Sequence, residues 1–458
     1  MMSGGTAHIR ATRRILLVFL LVLILLSACV PHRASSAPAT ASPTPSAVPA
    51  GSILGIELGT EMDGASVELA AGTGARWVRV ALRWKTIEPQ HRTPPAYRFK
   101  RYDQLLTALR QKGFHIILTV RDNPTWAADT SCGPLNAAGQ SAFLRFLEEA
   151  VSRYRQAPYE VRHWELYNEP DNTDAETYGA QGGCWGNAPA AYAELLRQAY
   201  PVIKGANPEA VVIFGGLALE QIEGNPFNLR FLEQVLDVGA GAYFDWANFH
   251  YYPAFSYRWD RFGRGIQGKA AYIQGILTKA GAEKPVICSE VGQPTAGPAA
   301  EGYSDQKTAD EMVRSYARAA WAGMPAAVWH KLQDRPDDVR LYGLVDAGGA
   351  PKPAYRTFQL LSQHLSRAYF RGERSVPAAG PLEAYEFDYK GEGFTHLVIA
   401  WRNGEGPAVP MSIPAPRAMV YRPSGEVTEV HANGPGGSAP SGEDITIQID
   451  SHPLILLY

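Results

Sequence analysis

The sequence predicts an α/β protein in which a (β/α)8 barrel is followed by a small C-terminal β-sandwich. Short apolar runs alternate with helical patterns eight times across residues 51–366. Polar and aromatic residues follow the ends of these runs, where a barrel of this class carries its chemistry. Across residues 367–458 the helical patterns stop, and short strand patterns alternate with Gly, Pro and Ser turns. A doubly wound open sheet would show the same alternation, but the count of eight and the residues at the strand ends favour the barrel.

Each predicted barrel strand is a short apolar run bounded by turn-forming or polar residues. The eight runs are Ile53–Leu58, Trp77–Leu82, His115–Val120, Val161–Tyr167, Ala210–Gly215, Asp245–Tyr251, Pro285–Ser289 and Ala326–His330. Helical patterns between them include Tyr102–Lys112, Gly139–Arg155, Pro189–Gly205 and Thr308–Ala322, the last opened by Ser304 as an N-cap candidate. The predicted sandwich strands are Glu383–Tyr389, Thr395–Trp401, Ala408–Ile413, Met419–Tyr421, Val427–His431, Ile445–Ile449 and Leu454–Tyr458.

The first 29 residues are predicted to be a targeting segment. A basic region with three arginines precedes the apolar run Ile15–Leu26, which is too short for a comfortable membrane span. The run ends in Leu-Ser-Ala-Cys29, which resembles a bacterial lipobox, so Cys29 is expected to carry the lipid of a mature lipoprotein. The alternative is a secretory signal or short anchor whose Cys is incidental. Every alternative implies export, and the lipobox implies anchoring to the bacterial cell envelope.

Residues 30–50 are rich in Ala, Ser, Thr and Pro and are predicted to be a flexible linker. Beyond residue 29 the chain carries 40 basic and 45 acidic residues, a balance of −5, which argues against a nucleic-acid partner. Cys132 and Cys184 both lie in Gly-rich loop sequence, and export permits a disulfide bond between them. Cys288 lies within a predicted apolar strand and is expected to be a small, buried hydrophobic residue. The Cys and His residues show no metal-ligand spacing, so no metal or cofactor is expected.

Glu169 and Glu290 bear most directly on function. They follow the fourth and the seventh predicted strands, and each precedes a turn-forming Pro or Gly. Glycoside hydrolysis needs one carboxylic acid to protonate the leaving oxygen and a second carboxylate to attack the anomeric carbon or to activate water. A neighbouring Arg and Tyr would keep the second carboxylate ionised, and Arg79 and Tyr252 are available. Taken alone, Glu169 could belong to a turn and Glu290 to an ion pair, but the pair in one barrel favours catalysis.

The strand-end residues together resemble clan A of the glycoside hydrolases, whose catalytic glutamates follow strands four and seven. Further matching positions are Arg79 on strand two, the following segment Arg83-Trp84-Lys85-Thr86-Ile87-Glu88-Pro89, the triplet His250-Tyr251-Tyr252 and Trp329 on strand eight. The resemblance covers residues 51–366 and is strongest to family 39, then to family 5. It implies a retaining mechanism with Glu169 as acid/base and Glu290 as nucleophile, and Asn168 bonded to the sugar 2-hydroxyl.

The resemblance also implies a set of substrate contacts. Arg79, Asn168, His250 and Tyr252 would surround the sugar, with Trp329 as its aromatic platform. Trp84 and Trp126 are strand-end or loop aromatics that either touch substrate or only pack, and the same alternative holds for Trp329. His250 could likewise be a hydrogen-bonded core residue.

The favoured function is therefore a lipid-anchored retaining glycosidase that hydrolyses O-glycosidic bonds of a poly- or oligosaccharide, β-linked by resemblance. One alternative is a non-catalytic lipoprotein that binds glycans on a glycosidase-like barrel. Another is a structural envelope protein that uses the barrel as a scaffold. The presence of both glutamates disfavours the first, and the polar strand ends disfavour the second.

Overall fold

A computed structural model describes residues 48–59, 63–173, 185–220, 227–297, 302–374, 382–391, 393–432 and 444–458. The predicted signal segment, Cys29, most of the predicted linker and Cys184 lie outside these residues. Among the described residues, no helix combines the length and the apolar character that crossing a membrane requires.

The first eight strands of the described chain are parallel and form a barrel, which confirms the predicted fold class. The strands are β1 (Leu54–Glu57), β2 (Trp77–Arg83), β3 (His115–Arg121), β4 (His163–Asn168), β5 (Val211–Gly216), β6 (Ala247–Tyr251), β7 (Val286–Val291) and β8 (Ala327–Trp329). Their order is β5-β4-β3-β2-β1-β8-β7-β6, and isolated parallel bridges from Ile213 to Trp246 and from Leu217 to Phe249 join β5 to β6. Because the first and last strands pair and the two edges meet, the open-sheet alternative is wrong.

Helices follow each strand and form the outer layer. They are α1 (Gly64–Gly72), α2 (Trp84–Ile87), α3 (Lys100–Gln111), α4 (Ala137–Tyr154), α5 (Pro189–Ala206), α6 (Phe231–Asp237), α7 (Ile266–Lys279), α8 (Asp305–Trp321) and α9 (Pro353–Leu365). The predicted cap of α8 is confirmed, because the Ser304 side chain accepts a hydrogen bond from the backbone N–H of Lys307. Asp63 and Asn136 cap α1 and α4 in the same way, and these caps fix where the three helices begin.

Alternation along the strands sorts side chains between the barrel interior and the helix layer. An interior layer at the lower half of the barrel is formed by Trp77, Ile117, Ile213, Ile287 and Val328. The opposite faces of the same strands pack against the helices in a separate, larger apolar core. Two positions further along β2 and β3, Arg79 and Thr119 therefore point into the upper barrel, where the polar strand-end residues collect.

The C-terminal residues form two antiparallel sheets, as the sequence predicts. The strands are β9 (Ala368–Glu373), β10 (Leu382–Gly391), β11 (Phe394–Arg402), β12 (Val409–Ile413), β13 (Arg417–Tyr421), β14 (Val427–His431), β15 (Ile445–Ile449) and β16 (Leu454–Leu457). Six of them form a sheet ordered β14-β13-β16-β11-β10-β9, and β12 pairs with β15. Alternate residues of the larger sheet face in opposite directions: Val398 packs with the β12–β15 pair, whereas Leu397 and Ile399 join the barrel's apolar core. The sequence pattern had not singled out β9, which follows α9 almost directly.

Candidate active site

Arg79 is the centre of a buried network at the upper end of the barrel. It lies on the inner face of β2 and is 2% exposed. Its guanidinium donates to both carboxylate oxygens of Glu165 at 2.7 and 3.0 Å and to Oε1 of Glu290 at 2.5 Å. It also donates to Oδ1 of Asn168 at 2.6 Å and lies 3.4 Å from Oε1 of Glu57. One cation thus joins the ends of β1, β2, β4 and β7.

Glu165 points into the barrel, a direction that the sequence left open. It is fully buried, and besides Arg79 it accepts hydrogen bonds from the Thr119 hydroxyl at 2.6 Å, the Asn248 amide at 2.9 Å and the backbone N–H of Gly216 at 3.0 Å. Both of its oxygens are therefore occupied by protein donors. Glu165 is placed to hold Arg79 rather than to react.

Glu290 is held in its ionised form by positive charge and hydrogen bonds. The Tyr252 hydroxyl donates a short hydrogen bond to Oε2, and the Nδ1 atoms of His250 and His330 lie 3.5 and 3.8 Å from that oxygen. Burial by itself raises the pKa of Glu290, but His250, Arg79, His330 and the Tyr252 hydrogen bond outweigh it. The pKa of Glu290 consequently lies well below the ordinary value for Glu.

Glu169 faces Glu290 across His250. Its Oε1 lies 3.1 Å from His250 Nδ1, and the other ring nitrogen lies 3.2 Å from the Ser289 hydroxyl. Oxygens of both glutamates and a nitrogen of His250 all lie within 4.8 Å of one another. Glu169 also has a φ of 43°, a left-handed conformation that non-glycine residues rarely adopt and that is frequent at functional sites. The backbone directs this side chain into the site at a local conformational cost.

A local change of register brings Glu290 into the site. Simple alternation predicts that Val286, Cys288 and Glu290 share one face of β7. In the structure Cys288 packs in the outer apolar core, while Ser289 faces inward and its backbone N–H donates to Asn248. The pairing of β7 shifts register with both neighbouring strands, so that Glu290 also points inward. The shared-face prediction for β7 is wrong because a bulge interrupts the alternation.

Glu57 and His330 complete the site and were not predicted from the sequence. His330 Nδ1 makes a short contact with Glu57 Oε2. Burial lowers the pKa of His330, but Glu57 and Glu290 raise it above the ordinary value for His. Tyr342 packs edge-on against both His330 and Tyr252, at ring-centroid distances of 5.3 and 5.5 Å. Glu57 is the last residue of β1 and lies inside the predicted apolar run Ile53–Leu58, where a lone carboxylate is the sequence signal that could have identified it.

The family model for cellulase (glycosyl hydrolase family 5) matches residues 51–331, more than half of the chain. The chain belongs to glycosyl hydrolase family 5. It is therefore a glycosidase, and the resemblance to clan A is confirmed. The sequence resembled family 39 most and family 5 next, and the matching model is that of family 5. No curated protein matches the sequence.

Solved structures of other glycosidases share the fold of this family 5 chain. A family 39 glycoside hydrolase from the gut symbiont Bacteroides cellulosilyticus WH2 has a TM-score of 0.65 at 19% identity, covering 90% of this chain and 82% of that one. A glucosidase from Croceicoccus marinus has a TM-score of 0.60 at 15% identity, and a monomeric β-xylosidase from Caulobacter crescentus CB15 a TM-score of 0.60 at 14%. Each covers 90% of this chain and 97% of its own. These likenesses extend over the barrel and the C-terminal sheets.

Trp329 does not line the site of the family 5 enzyme. It is fully buried and packs in the apolar core between the barrel and its helices. Its neighbour Val328 belongs to the barrel's interior layer, so alternation turns Trp329 outward and His330 inward. The expectation of a Trp329 sugar platform is corrected on this ground, and His330 and Tyr342 are the rings beside the carboxylates.

Trp84 is likewise a core residue rather than a substrate contact. It is fully buried, its indole N–H donates to Oε2 of Glu88 at 2.8 Å, and it packs on Phe143. Trp126 is partly buried and stacks on His91 at a centroid distance of 4.6 Å. Its contact with substrate stays a prediction.

Within the described part of the chain, two groups of side chains have the composition and spacing that could hold a metal ion. They are Glu57, Glu290 and His330, and Glu169, His250 and Glu290. Both include Glu290, whose Oε1 is 2.5 Å from the Arg79 guanidinium. A divalent cation would have to share that carboxylate with a fixed positive charge, so the donor sets fit a metal poorly.

The predicted disulfide bond lies partly within the described residues. Cys132 is disulfide-bonded, and Cys184, its predicted partner, lies outside the described part of the chain. Cys288 is a free, buried cysteine, and burial raises the pKa of its thiol.

Proposed function

We propose that this family 5 enzyme hydrolyses β-linked poly- or oligosaccharides by a retaining double displacement, with Glu290 as nucleophile and Glu169 as acid/base. The observation that carries the proposal is the environment of Glu290. Its two oxygens are held by Arg79 and Tyr252, which fixes the carboxylate in the ionised form that attack on an anomeric carbon requires. The β linkage rests on the resemblance to clan A.

The spacing of the two glutamates supports retention. Retaining glycosidases hold their carboxyl groups about 5–5.5 Å apart, whereas inverting enzymes leave about 6.5–9.5 Å for a water molecule. An oxygen of Glu169 lies within 4.8 Å of an oxygen of Glu290. That gap favours direct attack by Glu290 over activation of a water between the two residues.

The proposed reaction has two steps. Glu169 donates its proton to the leaving oxygen and a Glu290 oxygen bonds to the anomeric carbon, while the glycosidic C–O bond breaks and the leaving group departs as an alcohol. Glu169 then takes a proton from water, which attacks the same carbon and releases Glu290. Asn168 Oδ1 accepts a hydrogen bond from Arg79, which turns the side-chain NH2 group of Asn168 toward the site, where it would donate to the sugar 2-hydroxyl.

Substitution of the two glutamates separates their roles. Glu290→Ala should abolish hydrolysis of an aryl-glycoside panel, and azide should restore cleavage with a product of inverted configuration. Glu169→Ala should keep activity on glycosides with good leaving groups, and azide should give a product of retained configuration. Glu209→Ala, at a side chain that is 68% exposed, is the control and should match the wild type. Unchanged hydrolysis by the Glu290 variant would refute its assignment, and glycan binding without hydrolysis by the wild type would favour a binding protein.

We also propose that the enzyme is exported and anchored to the bacterial envelope through a lipid on Cys29. The support is the basic region, the short apolar run and the Leu-Ser-Ala-Cys29 sequence. Cys29→Ala should move the protein out of the membrane fraction. Unchanged membrane association would contradict the lipid anchor.

A further inference from the structure

A cavity of about 310 Å³ adjoins the Glu57–His330 pair at the rim of the barrel. It follows the arc from β8 through β1 to β3 and includes the segment after β8. Its cationic side chains are Arg83, Arg121, Lys331, Arg335 and Arg340. We call this cavity the basic pocket. Its volume is at the lower end of the range of about 300–1,000 Å³ for small-ligand sites.

Two of these cations are placed by the barrel strands. Arg83 and Arg121 are paired neighbours in register on β2 and β3. Arg83 lies two alternations beyond Arg79, so it faces the same side of β2. Strands position side chains more rigidly than loops do, so these charges are held in place before a ligand arrives.

Acidic partners within the pocket are fewer than the cations. Asp122, just behind the rim, lies 2.6 Å from Arg83, 3.1 Å from Arg121 and 3.7 Å from Lys85, so one carboxylate faces three cations. Asp338 is similarly shared, lying 2.5 Å from Lys331 and 3.3 Å from Arg335, and the exposed Asp337 lies 3.5 Å from Arg335.

Glu57 adds little negative charge to the basic pocket, because His330 and Arg79 already face its carboxylate. The described lining residues thus include five cations and two acids, Glu57 and Asp338. The whole chain, by contrast, has a formal net charge of −2. Positive charge is therefore concentrated at this rim.

We propose that the basic pocket is a subsite for an anionic group on the glycan, either a sugar carboxylate or a sulfate ester. This inference rests on the proposed function, because it places the anionic sugar in the cleft that leads to Glu290. Arginine forks bind planar carboxylates and sulfate-like oxygens through paired, charge-assisted hydrogen bonds. Arg83 and Arg335 are 18% and 38% exposed, which leaves both in reach of a ligand. The substrate class is then an acidic polysaccharide.

The test compares three sets of otherwise matched β-linked oligosaccharides: neutral, uronic-acid-containing and sulfated. We expect the wild type to hydrolyse one acidic set with a kcat/KM at least tenfold above the neutral set. Arg83→Gln and Arg335→Gln should each lower that preference by about tenfold to hundredfold, the loss expected for one hydrogen bond to a charged group. Arg371→Gln is the control, since Arg371 is 53% exposed on β9 and pairs loosely with Asp388 at 3.7 Å.

The acidic set that is preferred identifies the anionic group. The inference would be overturned if the wild type hydrolysed the neutral set as well as or better than the acidic sets. It would also be overturned if the Arg variants lowered kcat/KM equally on all sets. Either result would leave the proposed function intact. If the wild type hydrolyses none of the three sets of oligosaccharides, the proposed function fails. Calorimetric measurement of their binding to the wild type then tests whether the basic pocket binds an anionic group. Salt-sensitive binding of an acidic set would then support the pocket, and binding without acidic preference, or no binding, would refute it.

Discussion

Replacing Arg79 with Met removes the guanidinium that joins Glu165, Glu290 and Asn168. Removing one partner of a buried ion pair costs about 3–5 kcal/mol, and we expect the free energy of unfolding to fall by that amount. The 2.5 Å bond to Glu290 is a hydrogen bond to a charged group. Such bonds contribute about 1.5–3 kcal/mol, which corresponds to about tenfold to hundredfold in kcat. Since Arg79 lowers the pKa of Glu290, its loss should move the acidic limb of the pH–rate profile to higher pH.

Urea unfolding and the pH dependence of kcat/KM on an aryl glycoside measure these effects. Arg318→Met is the matched control, because Arg318 is 12% exposed and bonds both oxygens of Glu383 at 2.8 and 2.9 Å away from the site. It should lose similar stability and keep the wild-type pH profile. Arg79→Lys keeps the charge and should fold if the Met variant does not, with a lower kcat and a smaller shift in pH profile. An Arg79 variant whose kinetics match those of Arg318→Met would refute the role of Arg79.

Three further outcomes are expected. Glu165→Gln should lower the free energy of unfolding by about 3 kcal/mol in urea, since it removes a buried charge from beneath the guanidinium; an unchanged midpoint would contradict this. Burial lowers the pKa of His330, but Glu57 and Glu290 raise it above the ordinary value for His. The stabilisation by protonated His330 is therefore complete below about pH 6.5 and is lost as the pH rises through the folded-state pKa. His330→Gln should therefore lose most stability near pH 6 and least at alkaline pH, and a pH-independent difference would be contrary to this. Non-reducing peptide mapping should link Cys132 to Cys184, and replacing both with Ala should cost about 2–5 kcal/mol of unfolding free energy; a different linkage would disprove the pairing.

Much of the fold could be predicted because apolar runs of strand length and amphipathic helices repeat in a fixed order. Glu169 and Glu290 could also be singled out as candidates, since a carboxylate at the end of a buried strand is costly to the fold unless it has partners or a function. Glu57 differs because it lies inside the apolar run Ile53–Leu58 and not after it, so the pattern of polar strand ends does not include it.

The side-chain directions that the sequence did not predict correctly have local physical causes. Alternation fails on β7 because a bulge turns both Ser289 and Glu290 inward. Trp329 was expected in the site, but alternation on the short strand β8 turns it outward and places His330 in the pocket. The sequence could not predict which way the Glu165 side chain points. A buried carboxylate is stable there only because Arg79, from a strand far away in the sequence, pairs with it.

In the proposed mechanism, Glu290 forms a covalent bond to the anomeric carbon of the sugar. The 2-fluoro group of a 2-deoxy-2-fluoro aryl glycoside slows both steps, and a good leaving group speeds only the first, so the glycosyl-enzyme should accumulate. Peptide mass spectrometry of the inactivated protein should find one sugar on the peptide that contains Glu290, and none in the Glu290→Ala variant. A label on another residue, or no label on an enzyme that hydrolyses the parent glycoside with inversion, would contradict the claim.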